Sequence, residues 1–156
     1  MTQKNRYVGA MTTDEIRDAA AGHLRSAGLR VTAPRLAVLE AVTGNGHLDA
    51  DAVHARVGVD HPGIPLQTVY NVLADLNAAG LLRRIEPAGS AALHESRIGD
   101  NHHHIVCTRC SAVADVDCIV GQAPCLAPSD AGGFVVHTAE VTFWGLCASC
   151  QQEAAA

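Results

Sequence analysis

Two pairs of cysteines in the second half of the chain have the spacing of a metal site. Cys107 and Cys110 form one Cys-x-x-Cys motif, and Cys147 and Cys150 form another, with 36 residues between the pairs. Each pair ends or follows a predicted strand, so two tight turns can direct four sulfurs at one ion in a tetrahedron. Thiolates are soft ligands that favour Zn²⁺ over Mg²⁺ or Ca²⁺. We therefore predict a structural zinc site, with two redox disulfides as the alternative.

A run of three histidines just before the first pair predicts a second site. Alternate side chains of a strand share a face, so His102 and His104 point together and His103 points away. Glu95 ends an earlier predicted strand and Asp115 lies on the next one, and both are near enough in the topology to add oxygen ligands. Imidazole and carboxylate together suit Fe²⁺, Mn²⁺ or Zn²⁺. A solvated, histidine-rich strand end is the alternative.

The remaining cysteines, Cys118 and Cys125, belong to no motif. We predict that they are buried or idle thiols, and a redox pair is the alternative.

Four helices and a hairpin precede these sites. Capping residues, first-turn prolines and terminal glycines predict helices over residues 12–27, 32–43, 49–57 and 65–79. In the fourth helix, apolar residues repeat at i, i+3, i+4 and i+7 and form one buried stripe. Leu81–Ile85 and Ala91–Glu95 then read as two strands around a turn.

Short helices followed by a hairpin are the plan of a winged helix-turn-helix, with Pro65–Ala79 as the recognition helix. The N-terminal part of such a helix faces base edges in the major groove. The candidate base-contacting residues are Gln67, Thr68, Tyr70 and Asn71. Arginines near the second helix and the wing are candidates for phosphate contacts, namely Arg30, Arg35, Arg83 and Arg84. The alternative is an ordinary helical domain with a solvated amide face.

Charge divides the chain into two parts. Residues 1–90 hold nine Lys/Arg and nine Asp/Glu, whereas residues 91–156 hold two arginines against seven acidic residues and so carry the whole net charge of −5. The second part also holds all six cysteines, and its predicted strands cover residues 104–107, 112–116, 134–136 and 141–144. We predict a tail (1–11), a winged-helix domain (12–93), a metal-binding domain (94–151) and a second tail (152–156).

The whole composition favours a folded protein outside the membrane. Hydrophobic residues make up 48% of the chain and charged residues 17%, which excludes a wholly disordered chain. No apolar run approaches the ~20 residues needed to cross a bilayer, and no secretory signal is evident. We expect a cytoplasmic protein that has no contact with membranes.

Several segments together resemble the ferric uptake regulator family. They are Arg30–Arg35, Thr68–Tyr70 with Leu73, His102–Cys110 and Gly145–Cys150, and the resemblance covers roughly residues 13–150. Members are dimeric, metal-responsive transcriptional repressors. The resemblance therefore implies an α+β fold, in which an N-terminal winged helix-turn-helix DNA-binding domain precedes a small C-terminal α/β dimerisation domain. It also implies a homodimer, and a symmetric dimer predicts a palindromic double-stranded operator.

The resemblance carries ligand roles onto matching positions. Its structural zinc ligands fall on the four cysteines of the two motifs, and Tyr70 falls at a DNA contact. Its regulatory metal ligands, for Fe²⁺ or Mn²⁺, fall on His47, Glu95, His102, His104 and Asp115. His47 comes from the resemblance alone. Ala139 stands where some members have a further histidine ligand, so an additional metal site is not implied.

Two segments around the predicted regulatory ligands are most similar to one branch of the family. Glu95–Cys107 and Asp115–Cys118 look like the branch linked to catalase-peroxidase genes and peroxide stress, in which peroxide oxidises a ligating histidine. A zinc- or nickel-responsive repressor, or an iron-uptake repressor, is the alternative within the family. A small metalloenzyme is disfavoured because the chain has no nucleophile or general-base motif.

Overall fold

The computed structural model describes residues 12–121 and 124–154, and the predicted tail at residues 1–11 lies outside them. Four helices come first, followed by a hairpin, a three-stranded sheet and a short helix. In chain order the elements are α1 (Thr13–Ser26), α2 (Ala33–Val42), α3 (Ala50–Asp60), α4 (Leu66–Ala78), β1 (Arg83–Ile85), β2 (Leu93–Glu95), β3 (His102–Cys107), β4 (Val113–Asp117), β5 (Thr142–Gly145) and α5 (Ala148–Ala154). Within the described ranges, no helix has the length and apolarity that a membrane span requires.

Side-chain caps fix where the first helices begin. The Thr12 hydroxyl accepts from the backbone N–H of Glu15, whose carboxylate accepts from the N–H of Thr12 at 2.7 Å, which is the predicted capping box. Asp49 caps α3 by accepting from the N–H of Ala52 at 2.7 Å. These caps satisfy N–H groups that have no partner inside the helix.

One apolar core holds the four helices together. Leu24 of α1, Val38 of α2, Val53 of α3 and Leu76 of α4 are all fully buried in it. Burial of such side chains stabilises the fold by roughly 1.5–3 kcal/mol each. The core therefore makes a rigid base for the exposed face of α4.

The hairpin is joined to the loop that precedes α3. β1 pairs antiparallel with β2, and Arg83 lies opposite Glu95. Leu48 and His94 form an isolated bridge, in which the N–H of each donates to the carbonyl of the other at 3.0 and 2.8 Å. This bridge places His47 beside Glu95. We call residues 12–95 the winged-helix part.

The second sheet has the order β4-β3-β5, and with α5 we call it the sheet part (residues 102–154). β3 pairs antiparallel with β4 and parallel with β5. His104 lies opposite Asp115 and His102 opposite Asp117, so these four side chains share one face. His103 points to the other face, where Ile105 lies opposite Phe143.

The architecture is the predicted α+β arrangement, with two corrections. Residues 134–136 do not form the predicted strand. Phe134 and Val135 are 81% and 79% exposed, and the described part of the chain offers no neighbouring strand to pair with them. The apolar residues Phe134, Val135 and Val136 favour a strand, but a strand also needs a partner for its N–H and C=O groups.

The second correction concerns the C-terminus. Residues 152–154, predicted as tail, belong to α5, which begins directly after Cys147. The N–H of Gln151 donates to the carbonyl of Cys147, and the Gln151 side chain donates to the carbonyl of Leu146. A helix of seven residues is too short to show an apolar period, so no sequence pattern predicts it.

Candidate metal centres

The four predicted zinc ligands converge at one end of the sheet part. Cys107 ends β3 and lies opposite Gly145 of the parallel strand β5, so the two Cys-x-x-Cys turns come side by side. The sulfurs of Cys107, Cys110, Cys147 and Cys150 all lie within 4.8 Å of one another, and those of Cys110 and Cys147 are 3.7 Å apart. About 3.8 Å separates the sulfurs of a tetrahedral zinc site with Zn–S bonds of about 2.3 Å.

The thiols of Cys107 and Cys150 have pKa values shifted in opposite directions. Backbone N–H groups of Cys147, Cys110 and Arg109 lower the pKa of Cys107 to about 6. A side-chain contact with Cys147, together with burial, raises the pKa of Cys150 to about 12. Four close sulfurs cannot all carry charge without a cation among them. This donor set therefore fits Zn²⁺, as predicted.

The second centre lies where the two parts of the chain meet. Ligand atoms of His47, Glu95, His104 and Asp115 all lie within 4.8 Å of one another. Nε2 of His104 lies 3.2 Å from Oε1 of Glu95. Nε2 of His102 lies 3.1 Å from both oxygens of Glu95 and 3.9 Å from Oδ1 of Asp115. The structure thus brings together all five residues predicted for the regulatory site.

His47 gives the clearest sign that this centre fits a cation. Its Nε2 lies 3.3 Å from Oε2 of Glu95 and 3.1 Å from Oδ1 of Asp115, yet this buried nitrogen has no partner in hydrogen-bond geometry. The imidazoles of His47 and His104 instead converge with both carboxylates, and the imidazole of His102 adjoins this group through Glu95. Nitrogen and oxygen donors of this kind suit Fe²⁺, Mn²⁺ and Zn²⁺.

Glu95 is the most deeply placed carboxylate of the centre, with an exposure of 2%. Burial alone would raise its pKa, but the hydrogen bond from His104, the close contact with His47 and the charge of His102 outweigh burial and hold the pKa well below its ordinary value. Glu95 is therefore ionised at neutral pH and available as an anionic ligand.

A second layer of residues orients the ligands. The Nδ1–H of His102 donates to Asp100 at 2.7 Å, which leaves Nε2 free to face the centre. Arg97 in turn donates to Asp100 at 2.7 Å, to Asp117 at 2.6 Å and to Asp115 at 3.4 Å. Such outer partners fix the tautomer and direction of ligating histidines.

The predicted base-contacting residues share the accessible side of α4. Tyr70 is 49% exposed, and Gln67 and Asn71 are exposed, with the Gln67 amide donating to Asn71 at 3.1 Å. Thr68 is half-buried. These positions follow from the buried stripe on the opposite side of the same helix.

The four predicted phosphate-contacting arginines differ in their surroundings. Arg30 is exposed, and Arg84 is exposed and paired with Glu86. Arg35 instead donates to Asp75 at 2.6 Å and to the carbonyl of Arg30, which ties α2 to α4. Arg83 lies 3.8 Å from Glu95 and 3.8 Å from Glu140, so it faces the metal centre.

A third cluster was missed by sequence reasoning, which assigned Cys118 and Cys125 to no site. Sγ of Cys125 lies 3.2 Å from Nε2 of His103, and the ligand atoms of His103, Cys118 and Cys125 all lie within 4.8 Å of one another. Strand alternation carried a partial signal, because Cys118 directly follows β4 on the face of His103.

Comparison with known proteins agrees with this architecture. Residues 26–141 match the model of the Ferric uptake regulator family. The chain is 55% identical over 130 residues to "Transcriptional regulator FurA" of Mycobacterium tuberculosis, covering 83% of this chain and 88% of the relative. The protein therefore belongs to the ferric uptake regulator family. It is a metal-responsive transcriptional regulator and not an enzyme, as predicted.

Two solved structures are similar as well. The ferric uptake regulator from Pseudomonas aeruginosa with manganese is 26% identical, with a TM-score of 0.61 and coverage of 83% of this chain and 98% of that one. The Campylobacter jejuni peroxide stress regulator is 25% identical, with a TM-score of 0.50 and coverage of 69% and 73%. The fold class predicted from the sequence is thereby confirmed.

Proposed function

We propose that this protein is a cytoplasmic, homodimeric repressor that binds palindromic operator DNA when Fe²⁺ or Mn²⁺ is held at the second centre, and that peroxide releases it. The observation that carries the proposal is the origin of the ligands. His47 and Glu95 belong to the winged-helix part, whereas His102, His104 and Asp115 belong to the sheet part. A metal site shared in this way couples metal binding to the arrangement of the two parts.

The coupling follows from linkage. His47 and Glu95 contact the sheet ligands only when the winged-helix part lies against the sheet, so an ion that needs both sets binds this arrangement more tightly. Metal therefore shifts the population toward it, and the recognition helices of a dimer take one fixed spacing. Operator DNA that fits this spacing raises the affinity for the metal by the same factor.

Exposed apolar side chains support the homodimer. Ile105 and Phe143, which lie opposite each other on one face of the sheet, are 39% and 46% exposed, and Phe134 and Val135 are 81% and 79% exposed. Large apolar side chains exposed in this way mark interaction sites when they form a patch. A two-fold dimer would bury it and present two α4 helices to two half-sites of a palindrome.

DNA contact is assigned to α4 and to the arginines that remain accessible. Gln67, Tyr70 and Asn71 lie where the recognition helix of a winged helix reads base edges. Arg30 and Arg84 supply positive charge for phosphates. The net charge of −5 is compatible with this role because affinity depends on local placement of positive charge.

Peroxide sensing is proposed from the donor set. The ligands are nitrogen and oxygen atoms only, and the second carboxylate is the short Asp115, as in the peroxide-responsive branch that this sequence resembles. Bound iron would supply one-electron chemistry toward peroxide beside the imidazoles of His47, His102 and His104. An imidazole oxidised there is a poorer ligand, so the two parts separate. The similarity to a peroxide stress regulator supports the same function.

The test is an anaerobic fluorescence-anisotropy titration of zinc-loaded protein against its own upstream DNA. We expect tight binding that requires Fe²⁺ or Mn²⁺, and loss of binding after a peroxide pulse in the iron form but not in the manganese form. His102→Asn should abolish the DNA binding that Fe²⁺ or Mn²⁺ induces, whereas His137→Asn, at an exposed position outside the centre, should behave like wild type. Iron-dependent binding that survives peroxide would identify an iron-uptake repressor instead.

Zinc- or nickel-responsive repression is the second candidate. Three imidazole nitrogens at one centre also suit Zn²⁺ and Ni²⁺, because the affinities of divalent metals for such sites overlap. DNA binding that responds to Zn²⁺ or Ni²⁺ at concentrations where Fe²⁺ and Mn²⁺ have no effect would favour this candidate.

A further inference from the structure

The cluster of His103, Cys118 and Cys125 lies on the face of the sheet opposite to the second centre. His102 and His104 point to one face of β3 and His103 to the other, where it contacts the ring of Phe143 edge-on at 6.4 Å between centroids. β3 therefore separates two groups of ligand-type side chains. The cluster shares no residue with either centre described above.

The three side chains converge in part because of strand alternation. Val116 lies opposite His103 in the β3–β4 register, so Cys118, two residues on, is its diagonal neighbour on the same face. Cys125, seven positions after Cys118, also lies beside His103, with 3.2 Å between Sγ and Nε2. Two thiols and one imidazole thus meet from three positions in the sequence.

The donor atoms of this cluster favour a soft, thiophilic cation. It contains two sulfurs and one imidazole nitrogen, and no carboxylate belongs to it. In a tetrahedral zinc site, about 3.5–3.8 Å separates such donors, given Zn–S and Zn–N bonds of about 2.3 and 2.0 Å. The observed separations, 3.2 Å for one pair and at most 4.8 Å for the others, require only small side-chain movements.

The segment between β4 and β5 also has few interactions of its own that would stabilise it. Between β4 and β5 the described residues form turns and irregular chain without a helix or strand, and the surrounding side chains are mostly exposed. Yet His103 is only 7% exposed. A small region that lacks an apolar core is commonly stabilised by a metal or disulfide, and a metal is the form suited to a reducing compartment.

We propose that His103, Cys118 and Cys125 form a third metal site, which binds Zn²⁺ or a similar thiophilic divalent cation and fastens the segment after β4 onto the sheet. The site provides three protein ligands. Its fourth position is filled by solvent or another small ligand, which distinguishes it from the closed site of four cysteines. Binding displaces the thiol protons of Cys118 and Cys125 to solvent and involves no change of oxidation state.

The test uses Co²⁺ as a visible substitute for zinc on reduced, full-length protein whose four-cysteine site is already filled with Zn²⁺. Zinc is spectroscopically silent, and the second centre offers only nitrogen and oxygen. A sulfur-to-cobalt charge-transfer band can therefore arise only from Cys118 and Cys125. We expect a band whose final intensity corresponds to one thiolate-bound Co²⁺ per protomer, in addition to the Co²⁺ that the second centre takes up.

Matched variants separate the three centres. Cys118→Ser with Cys125→Ser should abolish the band while the second centre still takes up Co²⁺. His103→Asn should weaken Co²⁺ binding at the thiolates, whereas His102→Asn, its neighbour on the opposite face, should preserve the band. No band in wild type, or a band that survives the double serine replacement with the zinc content unchanged, overturns the proposal.

A second measurement needs no variant. Zn²⁺ added to the same zinc-loaded protein should protect Cys118 and Cys125 from alkylation by iodoacetamide, as mapped by mass spectrometry. Equal alkylation with and without added Zn²⁺, or a Cys118–Cys125 disulfide that persists under reductant, contradicts the site. Neither readout involves DNA or peroxide, so the result is independent of the proposed repressor function.

Discussion

Nε2 of His47 lies 3.1 Å from Oδ1 of Asp115, and this contact joins the winged-helix part to the sheet part. His47 precedes α3, and Asp115 lies in the middle of β4. The buried Nε2 lacks a hydrogen-bond partner, so the contact is a poor substitute for an ion. The two residues therefore define where the coupling between metal and DNA is best tested.

The first prediction concerns His47→Ala. The variant should still bind Mn²⁺, with lower affinity, through the remaining four ligands, but metal should improve its DNA affinity far less than in wild type. For wild type we expect an improvement of about 5–150-fold, the usual range of allosteric coupling. DNA titrations with and without saturating Mn²⁺ measure this factor. An unchanged factor would show that His47 does not connect metal and DNA.

Asp100 provides the second prediction because it accepts from Nδ1 of His102. Asp100→Asn should weaken Mn²⁺ binding by about 10–100-fold, as is typical when the partner of a ligating histidine is changed. Competition against a fluorescent chelator measures the affinity. Asp117→Asn is the matched control, because Asp117 also accepts from Arg97 and lies opposite His102 in the register, whereas Nδ1 of His102 donates to Asp100. Equal losses in both variants would assign the effect to Arg97 instead.

The third prediction is the acid sensitivity of the metal-free protein. The folded pKa of Glu95 is depressed, so its stabilising contribution is present above its unfolded value of roughly 4.3 and is lost as the pH falls toward the folded value. Urea unfolding between pH 6 and pH 3 should show a steeper decline for wild type than for Glu95→Gln. Parallel declines would contradict the depressed pKa.

Zinc uptake at the four-cysteine site leads to the fourth prediction. Cys107 has a pKa of about 6, so it is already a thiolate at pH 7.5 and releases no proton there, but it must release one at pH 5. The number of protons released per Zn²⁺ should therefore rise by about one between these pH values. Calorimetry in buffers of different ionisation enthalpy gives the number. A constant number would exclude the lowered pKa.

The fifth prediction separates base contacts from phosphate contacts. Asn71→Ala should cost about 1–3 kcal/mol of binding to the operator and relax specificity at one base pair. Arg30→Ala should weaken binding to every duplex and reduce the salt slope by about 1. Anisotropy titrations over a range of salt, on operator and unrelated DNA, distinguish the two effects. The opposite assignment would place α4 outside the major groove.

The parts of the fold that could be predicted from the sequence are those encoded by short-range patterns. α1 to α4 were predicted because caps such as Thr12 and Asp49, and the buried stripe of α4, are encoded within a few residues of each helix. The cysteine motifs and the alternation of His102 and His104 are equally local. The strand expected at residues 134–136 was wrong because strand formation depends on a partner that a local pattern does not contain.

The site features that could not be predicted from the sequence depend on contacts between residues far apart in the chain. A lone histidine before a helix carries no pattern, and His47 reaches the centre only because Leu48 bridges to His94. Likewise, nothing near Arg83 or Arg35 in the sequence indicates that Glu95 or Asp75 will lie beside them. Cys125 lies beside His103, and no sequence pattern between Cys118 and Cys125 indicates that contact.

The two hydrogen bonds between Leu48 and His94 have a kinetic consequence. They hold His47 and Glu95 in one unit, while β3 and β4 hold His102, His104 and Asp115 in another, and residues 96–101 connect the two. On the proposed mechanism, an ion therefore leaves when the units separate as a whole, and not by stepwise loss of single ligands. On the proposed mechanism, a dimer seated on its operator keeps the units together, so the residence time of the metal is longer on DNA than off it.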